Sequence, residues 1–132
     1  MECDNSVNPV GNRPRLLVAE DNPSNYKLVE VLLRRDYDLL HAWNGKEAVA
    51  LFSDSRPDLV LMDIQMPVMN GYEAAQAIRA LHRPDTDALP IVALTANAFD
   101  EDVLRSRKAG MNAHLSKPLD IRKLVETLQG LM

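Results

Sequence analysis

The chain has a single cysteine, Cys3, among its 132 residues. One thiol closes no internal disulfide and has too few companions for a zinc site, so nothing points to an oxidising compartment and a cytosolic setting is expected. Long hydrophobic runs are equally absent. No apolar stretch approaches the roughly 20 residues needed to cross a bilayer, and Met1-Glu2-Cys3-Asp4 carries acids where a secretory signal would carry bases. The domain is therefore expected to be soluble, with no membrane insertion of its own, although a longer parent protein could be anchored through other segments. Positive charge is also in short supply. With 15 Lys and Arg against 19 Asp and Glu, the formal charge is −4 and the pI near 5.3. A clustered basic surface for phosphate contacts is lacking, which argues against direct nucleic-acid binding.

What remains is the composition of an ordinary globular domain, 46% hydrophobic and 26% charged, with room for one core. Residues 1–14 mix Asn, Pro, Gly and Ser with little apolar content and read as a flexible leader or the tail of an upstream linker. Residues 15–132 then alternate short apolar runs with stretches of helical period. Strands are expected at Leu16–Ala19, Leu39–Ala42, Leu59–Met62, Ile91–Leu94 and Ala113–Leu115. The helices between them carry start and stop signals. Asn22 before Pro23 is an N-cap followed by a favoured first helical residue, and Asn44 with Glu47 and Asn70 with Glu73 have the spacing of capping boxes. Ala75, Ile78 and Leu81 should line one side of the third helix, and the fourth should run from about Asn97 to Ala109 and stop at Gly110. A last helix with Leu124 and Leu128 completes five strand-helix pairs. Strands this apolar are covered on both faces, and strict alternation with helices implies parallel pairing through right-handed crossovers. The expected fold is α/β, a doubly wound five-stranded parallel sheet with helices on both faces.

In such a sheet the ligand crevice lies beyond the C-terminal ends of the strands. The residues just past four strands are Glu20-Asp21, Asp63, Thr95 and Lys117. Three carboxylates in one crevice repel each other unless a divalent cation or an ammonium compensates them, and magnesium suits hard oxygen ligands of this kind. Singly, each residue has an ordinary use: Asp21 and Thr95 as helix caps, Asp63 in a turn, Lys117 in solvent. Their joint placement at one edge of one sheet is what suggests a site.

The segments that carry these residues are Val18-Ala19-Glu20-Asp21-Asn22, Leu61-Met62-Asp63-Ile64-Gln65-Met66-Pro67-Val68-Met69-Asn70-Gly71, Ala93-Leu94-Thr95-Ala96 and Leu115-Ser116-Lys117-Pro118. With them the chain resembles a response-regulator receiver domain of two-component and phosphorelay systems from about Arg15 to its end. The resemblance implies a flavodoxin-like strand order 2-1-3-4-5. It implies Asp63 as phosphoacceptor and Glu20 and Asp21 as the acidic pair. Magnesium, for which manganese can substitute, would be held by Asp21, Asp63 and the backbone carbonyl of Gln65. Thr95 would be the switch hydroxyl and Lys117 the phosphoryl-binding cation, joined to Pro118 by a cis bond. Gln65 and Asn97 would occupy the positions that tune water access. The aromatic switch position falls at His114, where the family more often has Tyr or Phe. The wording Met111-Asn112-Ala113-His114-Leu115-Ser116-Lys117-Pro118 resembles receivers of hybrid histidine kinases more than those of DNA-binding regulators. A histidine kinase or histidine phosphotransfer protein is the implied partner, the domain being a monomer or weak dimer that catalyses its own aspartyl phosphorylation and dephosphorylation. A parent of the hybrid type would be a histidine kinase.

Three other readings compete. A haloacid-dehalogenase-type phosphatase also starts from an aspartate after a hydrophobic strand, but needs a general acid two residues on, where Gln65 stands. A flavodoxin-like cofactor domain would put its phosphate loop after the first strand, where Glu20 and Asp21 repel phosphate without a metal. A pseudo-receiver would dock to partners without phosphorylation, and the complete set of phosphotransfer groups argues against it. His41 and His82 read as structural or solvated, Trp43 as packing at the sheet edge. Met62, Met66 and Met69 read as flexible packing around the site loop, since thioethers suit soft metals.

Overall fold

The computed structural model describes residues 14–81, 89–95, 100–116 and 120–131. Five strands, β1 (Arg15–Ala19), β2 (Asp38–Ala42), β3 (Leu59–Asp63), β4 (Ile91–Thr95) and β5 (Ala113–Ser116), alternate with five helices, α1 (Pro23–Leu33), α2 (Gly45–Ser55), α3 (Gly71–Arg79), α4 (Asp100–Lys108) and α5 (Ile121–Leu131). The strands form one parallel sheet in the order β2-β1-β3-β4-β5, with Ala19 opposite both Ala42 and Met62, and Asp63 opposite Leu94. The expected doubly wound sheet and its 2-1-3-4-5 order are both present.

Period-two alternation divides the core. Leu17, Ala19, Val60, Met62, Ile91 and Ala93 meet Ala48 and Phe52 of α2 and Ala74, Ala75 and Ile78 of α3. Leu16, Val18, Leu59, Leu61, Val92 and Leu94 meet Val29 and Leu33 of α1 and Leu124 and Leu128 of α5. Every residue of β3 and β4 is buried, because both faces are covered, whereas the edge strands β2 and β5 are only half-buried. Each fully buried Leu, Ile, Met or Phe here contributes roughly 1.5–3 kcal/mol.

The helix starts are set by Asn. The Asn22 side chain accepts from the N–H groups of Ser24 and Asn25 with Pro23 opening α1, and Asn70 and Glu73 form a complete capping box on α3. At α2 the expected box is only half formed. Asn44 accepts from Glu47 N–H at 2.9 Å, but the Glu47 carboxylate reaches one residue further back and takes the Trp43 N–H at 2.8 Å. The apolar side of α3 also ends early. Ala75 and Ile78 are buried, yet Leu81 is exposed, because the helix ends at Arg79 and Leu81 lies in the turn beyond its cap, Ala80.

Gly110 stands at φ +93 after α4, the left-handed position expected of it. There Arg79, at the end of α3, donates from Nε and Nη2 to the Gly110 carbonyl at 3.0 and 2.6 Å, and from Nη2 to Asn112 Oδ1 at 2.9 Å. The expected start of the fourth helix at Asn97 and the whole leader up to residue 13 fall outside the described residues. Among the described residues, no helix is long and apolar enough to cross a membrane.

Candidate functional site

The C-terminal ends of β1 and β3 bring Glu20, Asp21 and Asp63 together, with one carboxylate oxygen from each lying within 4.8 Å of the others. Adjacency of β1 and β3 in the sheet is the reason, since it places Ala19 beside Met62 and so the two following positions side by side. Glu20 and Asp63 are almost fully buried, and Asp21 is exposed. Both buried carboxylates are oriented by the chain that follows them: Glu20 Oε2 accepts from Asn22 N–H at 3.1 Å, and Asp63 Oδ1 from Gln65 N–H at 3.0 Å.

Two close backbone approaches shape the loop after Asp63. Gly71 N–H donates to the Ile64 carbonyl at 2.9 Å, and a Cβ at Gly71 would stand 2.5 Å from the Asp63 carbonyl oxygen. Gly45 N–H donates to the Met69 carbonyl at 3.0 Å, and a side chain there would collide with that same oxygen. The loop is thereby fastened to the starts of both α2 and α3. Met62 and Met66 are buried in the α2 and α3 side of the core with Met69 packed against it, so the methionines fill space around the loop.

Thr95 ends β4 and is buried, two strands from Glu20 and opposite Ser116 of β5. His114 lies opposite Ala93 and is half-buried. Lys117, Pro118, Asn97 and His82 fall outside the described residues.

One participant was not legible as such. His41 of β2, read only as structural or solvated, donates from Nε2 to the backbone carbonyl of Glu20 at 2.9 Å. Its ring stacks on Tyr26 of α1 at 3.6 Å and 2°, and the Trp43 ring leans on it at 4.2 Å and 44°. Burial, with the Glu30 charge adding to it, pushes the Tyr26 phenol above its usual range. No local signal in Leu40-His41-Ala42 announces a bond spanning 21 residues.

The donor set fits a hard divalent cation. Three carboxylate oxygens lie within 4.8 Å of one another, close to the roughly 4 Å that separates oxygens bound at the usual magnesium distance, and Asp21 is exposed. The architecture is a doubly wound parallel sheet with three carboxylates gathered where β1 and β3 end. The chain belongs to the response regulator receiver domain family, whose family model matches residues 16–129. It is 37% identical over 120 residues to hybrid signal transduction histidine kinase I of Dictyostelium discoideum, a stretch that covers 86% of the chain and 7% of that protein. Among solved structures it is similar to the receiver domain of the sensor histidine kinase PA1611 of Pseudomonas aeruginosa, which has a magnesium ion coordinated in its active site cleft. The TM-score is 0.82 and the identity 37%, over 91% of this chain and 98% of that one. It also matches a chain of the complex between the Saccharomyces cerevisiae histidine phosphotransfer signaling protein Ypd1 and the receiver domain of its downstream response regulator Ssk1. There the TM-score is 0.81 at 31% identity, covering 89% of each chain.

Proposed function

We infer that residues 15–132 accept a phosphoryl group on Asp63 from a phosphohistidine, with magnesium in the acidic pocket, and that the modification changes the surface presented to a partner. The observation that carries this reading is the convergence of Glu20, Asp21 and Asp63 at the ends of β1 and β3. Asp21, Asp63 and the Gln65 carbonyl are the groups that would hold the metal. When bound, it neutralises charge that would otherwise repel an incoming phosphoryl group.

The chain's own residues account for the remaining requirements. The Gln65 N–H holds one oxygen of Asp63 and so fixes the plane of the nucleophilic carboxylate. A carboxylate oxygen of Asp63 forms the bond to phosphorus as the phosphorus–nitrogen bond to the donor imidazole breaks, and the imidazole leaves with that electron pair and gains a proton. Asp63 starts as the carboxylate, so it needs no general base. Lys117 supplies a further positive charge to the phosphoryl oxygens, and Thr95 turns its hydroxyl to the new acceptor. Gln65 and Asn97 control entry of the water that hydrolyses the acyl phosphate. The donor is a histidine kinase or histidine phosphotransfer protein in the cytosol. The domain acts as a monomer or weak dimer without contacting nucleic acid, and residues 1–14 serve as a leader or linker.

The test is labelling with a small phosphorus–nitrogen donor such as radiolabelled phosphoramidate. The label is expected to require magnesium or manganese, to vanish with a chelator, to be released by hydroxylamine and to be absent from Asp63→Asn. Label that persists in Asp63→Asn, or that resists hydroxylamine, rejects the aspartyl-phosphate reading, and a parent chain that takes up no label at all leaves a pseudo-receiver.

A further inference from the structure

The acidic pocket stands on a peptide that is held from the neighbouring strand. Glu20 N–H donates to the Ala42 carbonyl at 3.0 Å, continuing the β1–β2 ladder one residue past its last pair, Ala19 with Ala42. Beyond Ala42 the chain turns away into α2, which begins at Gly45. At that point the His41 side chain takes up the Glu20 carbonyl. A carbonyl oxygen can only accept, so Nε2 carries the proton. The Glu20 carbonyl and the Asp21 N–H belong to one planar peptide. Rotation of that peptide would swing the Asp21 Cα and move its carboxylate relative to Glu20 and Asp63, so the imidazole bond limits where Asp21 can go. His41 is itself held by its ring contacts with Tyr26 and Trp43.

We propose that His41 is a positioning residue for the cation pocket, holding the Glu20–Asp21 peptide through its Nε2–H bond and so raising affinity for the divalent ion. It touches neither metal nor phosphoryl group. Its effect is preorganisation, because a ligand carboxylate already near its bound position loses less freedom when the ion arrives. The aromatic group on β2 and α1 thereby becomes part of the support of the site. This inference rests on the cation pocket assigned above.

The experiment is a magnesium chloride titration of the whole chain followed by the amide resonances of Asp21 and Asp63, with urea midpoints recorded alongside. His41→Phe keeps a ring against Tyr26 and Trp43 but removes the donor, and His41→Gln restores an N–H near the Nε2 position without the ring. The expected result is a dissociation constant for magnesium raised about tenfold in His41→Phe, the lower end for loss of a supporting group, and within about twofold of the parent in His41→Gln. Equal affinity in His41→Phe and the parent overturns the role while leaving the pocket intact. Equal weakening in both variants overturns it too, because the ring and not the donor would then matter. A parent chain that binds no magnesium rejects the pocket itself and this inference with it. Should His41→Phe fail to fold, the His41 Nε2 resonance of the parent decides the question. It should carry a proton and shift with the same dissociation constant as the Asp21 amide, and a resonance that ignores magnesium overturns the proposal.

Discussion

Val68 adopts φ +69 although it is β-branched and 76% exposed. It stands at the centre of a three-residue turn closed by Met69 N–H donating to the Pro67 carbonyl at 2.7 Å, in the loop that also carries Gln65. A branched residue held there costs about 1–3 kcal/mol, and its exposed side chain buries little in return. The loop keeps the conformation because Gly45 and Gly71 fasten its end to α2 and to Ile64. Val68→Gly relieves the strain but frees the unfolded chain by about 0.4–1 kcal/mol, so a net gain of about 1 kcal/mol is expected. The measurement is a urea midpoint that rises with unchanged slope. A lowered midpoint would mean that the turn is not strained at this residue. The positive φ could not be read from Pro67-Val68-Met69, since nothing in those three residues requires it and the restraints come from two glycines elsewhere.

Helix starts follow a different logic, because a cap is made of residues three apart. Asn22, Asn44 and Asn70 were all legible as caps, and each accepts the N–H expected of it. The reciprocal half is less local. At α3, Glu73 Oε1 returns to Asn70 N–H at 3.1 Å, whereas at α2 the same spacing sends Glu47 to Trp43. The backbone ahead of the cap differs, Asn70 having φ −76 and Asn44 φ −157, and that angle decides which N–H the glutamate meets. Leu81 was misplaced for a related reason: helical period alone does not say where a helix leaves its sheet, and α3 stops at Arg79. Removing the Asn70 side chain leaves Glu73 N–H without its cap in a helix of nine residues. Asn70→Ala should therefore cost about 1 kcal/mol, and Asn70→Asp, which keeps the acceptor, only a few tenths. Chemical denaturation of the two variants checks this, and equal losses would show that the cap contributes nothing specific. Because α3 begins two residues after Met69 and abuts the Asp63 carbonyl through Gly71, the same cap steadies the site loop.

Across the whole molecule, sequence placed the acids at strand ends, but only the strand order makes Glu20, Asp21 and Asp63 neighbours. The His41 bond stayed hidden because it joins positions that share no local pattern. The same geometry bears on the opposite edge of the sheet. Leu115 and Ala113 pack toward α1 and α5, so His114, between them, is directed to the other face, where Ala93 lies beside it on β4. Thr95 is two residues along β4 from Ala93 and shares its face, so Thr95 and His114 stand on adjacent strands on one side of the sheet. A Thr95 side chain drawn toward a phosphoryl group on Asp63 would vacate space on that side, and an inward turn of His114 could fill it. Such a turn would carry the change from the end of β4 to the surface formed by α4, β5 and α5. His114→Ala removes the side chain that would move while leaving the pocket at β1 and β3 untouched. The expected outcome is that beryllofluoride with magnesium still shifts the amide resonances around Asp63 in this variant, while the shifts on α4, β5 and α5 shrink toward the unmodified spectrum. If the variant instead shows the full set of parent shifts on that surface, His114 is an ordinary half-buried strand residue and the coupling runs through the backbone after Thr95.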